Sequence, residues 1–97
     1  MSWIGRVHRS LKRDPYPCDD CGMLTAPEGA PDEWYAVRDE VWLAAVMNLR
    51  GILCIGCLET RLGRELSAPD FEKAALNDPA FGWHSERLIE RLRRPPR

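Results

Sequence analysis

Leu53-Cys54-Ile55-Gly56-Cys57-Leu58-Glu59-Thr60-Arg61-Leu62 sets two thiols three positions apart, in a tight turn that opens into an apolar-periodic run. The only other cysteines, Cys18 and Cys21, repeat that spacing upstream. A C-x-x-C pair lets two sulfurs face one ion, and two such pairs complete a tetrahedral site of four sulfurs. All four cysteines are used and none is left over. Two disulfides are the competing reading, but paired C-x-x-C spacing in a chain kept reduced favours metal.

Working outward, each flank reads as a short element. Ile55, Leu58, Leu62 and Leu66 recur at three- and four-residue steps, which predicts a core-facing helical stripe with Arg61 and Arg64 outside it. Gly63 is either a tolerated helix residue or the C-terminal cap. Ser67-Ala68-Pro69-Asp70 has the form of a capping box, predicting a short helix through Phe71, Ala74 and Ala75 that stops at Asn77-Asp78-Pro79. Ser85 is placed to cap a last helix, with Leu88, Ile89 and Leu92 on one side and Arg87, Arg91 and Arg94 elsewhere.

Upstream, Pro17-Cys18-Asp19-Asp20-Cys21-Gly22 forms the first metal-binding turn. Gly22 suits a knuckle that needs one residue at positive φ, with backbone N–H groups turned toward sulfur. Asp19 and Asp20 read as solvent-facing turn residues. Met23-Leu24-Thr25 predicts a strand, 26–32 a loop, and Trp34-Tyr35-Ala36-Val37 the returning strand. Asp39 reads as the cap of a helix through Met47, with Val41, Trp42, Ala45 and Val46 on its buried side. At the N-terminus, Trp3, Ile4, Val7 and Leu11 share one side of a helical wheel opposite Arg6, Arg9, Lys12 and Arg13.

Knuckle, strand pair, then a second C-x-x-C whose last cysteine enters a helix: this order resembles the treble-clef arrangement of structural zinc domains. The longer run Asp39-Glu40-Val41-Trp42, Leu53-Cys54-Ile55-Gly56-Cys57-Leu58-Glu59, Arg61-Leu62-Gly63-Arg64 and Asp70-Phe71 is similar to small four-cysteine proteins encoded by actinobacteria and their phages. The resemblance covers about residues 18–71 and extends to the helix of Ser85–Leu92. It implies zinc and a treble-clef-like core, and brings no activity with it.

The expected fold class is therefore α+β: one domain over residues 1–97, with a four-cysteine zinc core at 14–76. An amphipathic segment, 1–13, and a basic helix, 85–94, flank that core. At 97 residues, with 44% apolar and 30% charged residues, the chain is globular in composition but small enough for core burial alone to be marginal. Its longest apolar run, Val41 to Met47, is too short to span a bilayer, and no secretory signal is read at the start, so the expected location is cytoplasmic without membrane attachment.

The net charge of −1 conceals an uneven distribution. Residues 1–13 carry four basic groups and no acid; 14–82 carry thirteen acids and five bases; 83–97 carry five arginines and two glutamates. Two basic ends thus flank an acidic middle, either to engage phosphate or to fold back onto that middle.

A zinc ion closed by Cys18, Cys21, Cys54 and Cys57 keeps no open position for water, so the expected role is structural and non-enzymatic, with no small-molecule substrate. A metal-dependent nuclease needs a placed imidazole, and the only histidines, His8 and His84, lie in the terminal segments. Iron in the same sulfurs, as in rubredoxin-like sites, meets Leu58 where those proteins usually carry glycine. The leading expectation is an adaptor with a protein partner, using Trp34, Tyr35 and Trp42 as contacts unless core packing claims them. The alternative is nucleic-acid binding through Arg61, Arg64, Arg87, Arg91 and Arg94 together with the basic N-terminus. A sequence isoelectric point of about 6.1 weighs against that alternative.

Overall fold

The computed structural model describes residues 16–96. The expected amphipathic segment 1–13, with His8, lies outside the described residues. Three α-helices organise the rest: α1 (Asp39–Leu43), α2 (Ile55–Leu62) and α3 (Glu86–Arg93). Single 3-10 turns at Ala68–Asp70 and Ala75–Asn77 join α2 to α3.

The second cysteine pair does open a helix. Cys54 is the N-cap of α2, its sulfur accepting the Cys57 N–H at 3.4 Å. Gly63 ends α2 as a left-handed cap (φ 74°), its N–H returning to the Glu59 carbonyl. Leu66 is fully buried, yet it is not part of the helical stripe. It reaches the core from the loop after the cap, where its N–H donates to Glu59 Oε2 at 2.8 Å.

The expected strands pair differently from the prediction. Among the described residues, extended pairing is confined to three isolated bridges: Pro17 with Leu24, Val37 with Phe71, and Asp32 with His84. Met23–Thr25 folds back on its own knuckle, through Cys18 N–H to Met23 O and Thr25 N–H to Tyr16 O. Only the Glu33 N–H, donating to Thr25 O, joins it to the following extended segment. Pro27 and Pro31, in the connecting loop, bring no N–H donors to extend a ladder.

Trp34–Val37 pairs instead with Phe71, flanked by Arg38 N–H to Asp70 O and Glu72 N–H to Ala36 O. That pairing holds Phe71 extended (φ −95°, ψ 146°), which is why the predicted helix through Phe71 and Ala75 is broken into two 3-10 turns. The Asn77 side chain completes the edge. Its amide accepts the Ala36 N–H at 3.0 Å and donates to the carbonyls of Ala36 and Glu72 at 2.7 Å each.

α1 is shorter than predicted, and its cap lies one residue earlier. Arg38 is the N-cap, while Asp39 and Glu40 occupy the first turn, where their charge complements the helix dipole. The chain leaves the helix after Leu43, and Met47 is fully exposed.

One apolar core joins these pieces. Ile55 and Leu58 of α2, Leu66, and Leu88 of α3 are fully buried, with Val37, Val41, Leu53 and Phe71 around them. Ser85 caps α3 through Leu88 N–H at 3.1 Å. Because Leu88 belongs to the same cluster as Cys54 and Leu58, the C-terminal helix is an integral wall of the core.

Candidate metal centre

Two knuckles meet at one point. In the first, Cys18 O accepts the Gly22 N–H at 2.9 Å and Gly22 takes φ 79°, the geometry its position after the second thiol requires. In the second, the chain rises from buried Leu53 into the first turn of α2.

The four sulfurs all lie within 4.8 Å of one another, with Cys21 and Cys54 Sγ 3.8 Å apart. Sulfurs at a zinc–sulfur distance of about 2.3 Å stand about 3.8 Å apart at the corners of a tetrahedron. Disulfide sulfurs stand only about 2.05 Å apart, and all four cysteines here are free thiols. The donor set therefore fits a tetrahedral, thiophilic metal ion, of which zinc is one.

The electrostatics favour a cation in that space. Burial raises the Cys18 thiol, but hydrogen bonds from the backbone of Cys54, Cys21 and Asp20 outweigh it and bring the group down to about 7. Burial, together with hydrogen bonds to the neighbouring thiols, pushes Cys57 up, and burial does the same to Cys54. Sulfurs this close hold one negative charge readily and four only around a positive ion.

Asp19 and Asp20 are exposed turn residues, as expected, and they are structural ties as well. Asp19 N–H donates to Ile52 O at 2.7 Å and its Oδ2 accepts the Ile52 N–H at 2.9 Å, docking one knuckle on the other. Gly51 (φ 96°) makes room for this: a Cβ there would stand 2.9 Å from Asp19 Oδ2. Asp20 takes both arms of Arg61, Nε at 2.8 Å and Nη2 at 2.6 Å, and its carboxyl is held below the usual range by that guanidinium. Nothing in the local pattern pairs a loop aspartate with an arginine 41 residues on.

Arg64, Arg87, Arg91 and Arg94 also face carboxylates. Arg64 forks onto Asp70 at 2.9 and 3.0 Å. Arg87 forks onto Glu33 at 2.8 Å through both Nε and Nη2. Arg91 forks onto Glu59 at 2.7 and 3.1 Å, and Arg94 onto Glu90 at 3.0 and 2.9 Å while also reaching Glu65. Of the two arrangements open to the basic C-terminal end, the structure contains the fold-back onto the acidic middle.

His84 is buried away from the sulfurs. Its Nδ1 meets Asp32 Oδ1 at 2.6 Å and its Nε2 meets the Leu76 carbonyl at 2.9 Å. Both ring nitrogens are thus engaged by partners within the chain.

The aromatic residues separate in role. Tyr35 donates its hydroxyl to Leu53 O at 2.8 Å and Trp42 its indole N–H to Arg50 O at 3.1 Å, so both brace the approach to the second knuckle. Trp34 stays exposed and packs on Tyr16, with ring centroids 4.7 Å apart. With Glu33, Gly51, Ile52 and Leu53 these four rings line a recess of about 210 Å³. Sequence reasoning missed Tyr16, which sits at positive φ (60°) between two prolines.

No family model matches this chain, nor does any curated protein or solved structure. Among the described residues, no helix is long and apolar enough to cross a membrane.

Proposed function

We propose that this chain is a small adaptor in which Cys18, Cys21, Cys54 and Cys57 hold one structural zinc ion within a treble-clef-like α+β core. Its product is a shaped surface for a protein partner rather than a reaction. The observation that carries this reading is the closed ligand set. Four sulfurs within 4.8 Å of one another fill a tetrahedral ion and leave no place for water, the group through which zinc does chemistry.

The ion would tie the two knuckles together and so fix the Tyr16–Trp34 side of the aromatic recess against Tyr35 and Trp42. Exposed Trp34 at the rim of a pocket lined by braced rings has the character of an interface anchor. The nucleic-acid alternative is supported by Arg61, Arg64, Arg87, Arg91 and Arg94, on or just beyond α2 and α3. Each of the five named arginines, however, would have to leave a carboxylate to reach a phosphate.

Metal analysis with native mass spectrometry gives the first test, with one zinc ion per chain as the expected result. A second test compares partner retention by the wild type and Trp34→Ala with low-salt binding to short duplexes. A protein partner lost on Trp34→Ala supports the adaptor. Duplex retention that falls steeply with salt, with no protein partner, replaces it with the alternative.

A further inference from the structure

Gly56 stands between the two ligand cysteines of α2, inside a helix, where glycine is the weakest former after proline. It is not among the glycines at positive φ, so conformational freedom does not account for it. Its neighbour does. A Cβ at this position would stand 2.7 Å from Arg87 Nη1, 3.3 Å from its Cζ and 3.4 Å from its Nη2.

The guanidinium therefore occupies the space a side chain would fill, and it is held there firmly. Glu33, whose side chain is 2% exposed, takes Nε and Nη2 in a two-armed fork. The same carboxylate accepts the Ile55 N–H at 2.9 Å and the Ser85 hydroxyl at 3.1 Å. Nη1 is left out of the fork and faces the first turn of α2 at Gly56, between the two ligand cysteines.

We propose that Arg87 is a positioning residue of the metal centre: oriented by Glu33 and admitted by Gly56, its guanidinium packs against the turn between Cys54 and Cys57 and slows loss of the bound ion. The proposal rests on the reading of the four cysteines as a metal site. Four thiolates around a divalent ion carry a net charge of about −2. A fixed positive charge packed on the ligand turn offsets part of that negative charge and favours keeping the four thiolates together around the ion. Groups just outside the ligands typically change metal affinity by about 10- to 100-fold. Arg87 also lies in the first turn of α3, so the same contact joins the C-terminal helix to the ion.

The test uses the full chain loaded with cobalt(II), whose sulfur-to-metal charge-transfer band reports the thiolates directly. Transfer of the ion to a chromogenic chelator is timed at fixed pH. Gly56→Ala and Arg87→Gln/Glu33→Gln are compared with wild type, the double substitution so that no buried carboxylate is left unpaired. The expected result is ion release about 10- to 100-fold faster in both variants, with a shifted charge-transfer band and unchanged helical circular dichroism. Arg87→Lys, which keeps the charge and loses the fork, is expected to fall between. Alanine is a better helix former than glycine, so faster release from Gly56→Ala cannot be assigned to a weakened helix. Wild-type release rates and an unshifted band in Gly56→Ala and the double variant overturn the proposal while leaving the metal site standing. A wild-type chain that takes up no cobalt overturns both.

Discussion

Cys54 and Cys57 rise out of the core, between buried Leu53 and Ile55 and buried Leu58, and Cys54 also caps the helix that follows. Around Cys18 and Cys21 the picture is reversed. Cys18 is buried, but Pro17, Asp19, Asp20, Cys21, Gly22, Met23 and Leu24 are all exposed. Two turns of the same spacing are thus held by different forces. The second is placed by apolar burial, which persists without an ion. The first is placed by the two hydrogen bonds between Asp19 and Ile52, by the Asp20–Arg61 pair, and by whatever the sulfurs share.

The difference predicts the order in which the molecule comes apart. A structural zinc ion contributes apparent binding free energy of about 10–16 kcal/mol, as much as or more than the whole stability of a typical domain. Chelation, or Cys57→Ser, is expected to abolish the cooperative melting transition followed by circular dichroism. Amide exchange at intermediate chelator concentration sharpens the comparison. Protection should be lost first over residues 17–24 and last over 55–62. Equal loss across both turns, or a metal-free chain that keeps its full transition, breaks the contrast.

How far the sequence carried this picture depends on the range of each interaction. Local rules were legible: the two cysteine pairs, Gly22 at positive φ and Ser85 over α3 all follow from residues within four positions of one another, and the structure decides for the cap between the two readings open at Gly63. Partner choice was not. The Trp34–Val37 segment looks the same to a local reading whether it pairs with Met23–Thr25 or with Phe71. What selects Phe71 includes the Asn77 side chain, which binds both backbone groups of Ala36 from 41 residues away. The partners of Asp19, Asp20 and Glu33 were not legible for the same reason. An aspartate in a turn and a glutamate before a strand carry no mark of the distant N–H or guanidinium they will meet.

A smaller effect separates the two knuckles on packing alone. Leu58 is fully buried behind the second turn, and Leu24 is 45% exposed beside the first. Leu58→Ala is expected to cost about 2–5 kcal/mol, the range for removing a buried leucine side chain. Leu24→Ala should stay within about 0.5 kcal/mol, as for surface substitutions. Denaturant titration of the metal-loaded protein measures both. A costly Leu24→Ala would mean that the first knuckle carries a packed core of its own.

The smallest effect belongs to the Asp20–Arg61 pair, and it is the most informative about what fixes the first knuckle. Both side chains are about one-third exposed, so water and salt screen the charge–charge attraction despite the two-armed geometry. Asp20→Asn, Arg61→Gln and the double substitution form a cycle whose coupling should be small at low salt and smaller still at high salt. Arg61 Nη1 also reaches the Ala45 carbonyl at 3.2 Å, so Arg61→Gln should cost slightly more than Asp20→Asn. If the coupling instead proves large and indifferent to salt, Asp20 and Arg61 place the first turn without help from the sulfurs. The ion then fills a site that the protein has already shaped, and the early loss of protection over residues 17–24 should vanish with it.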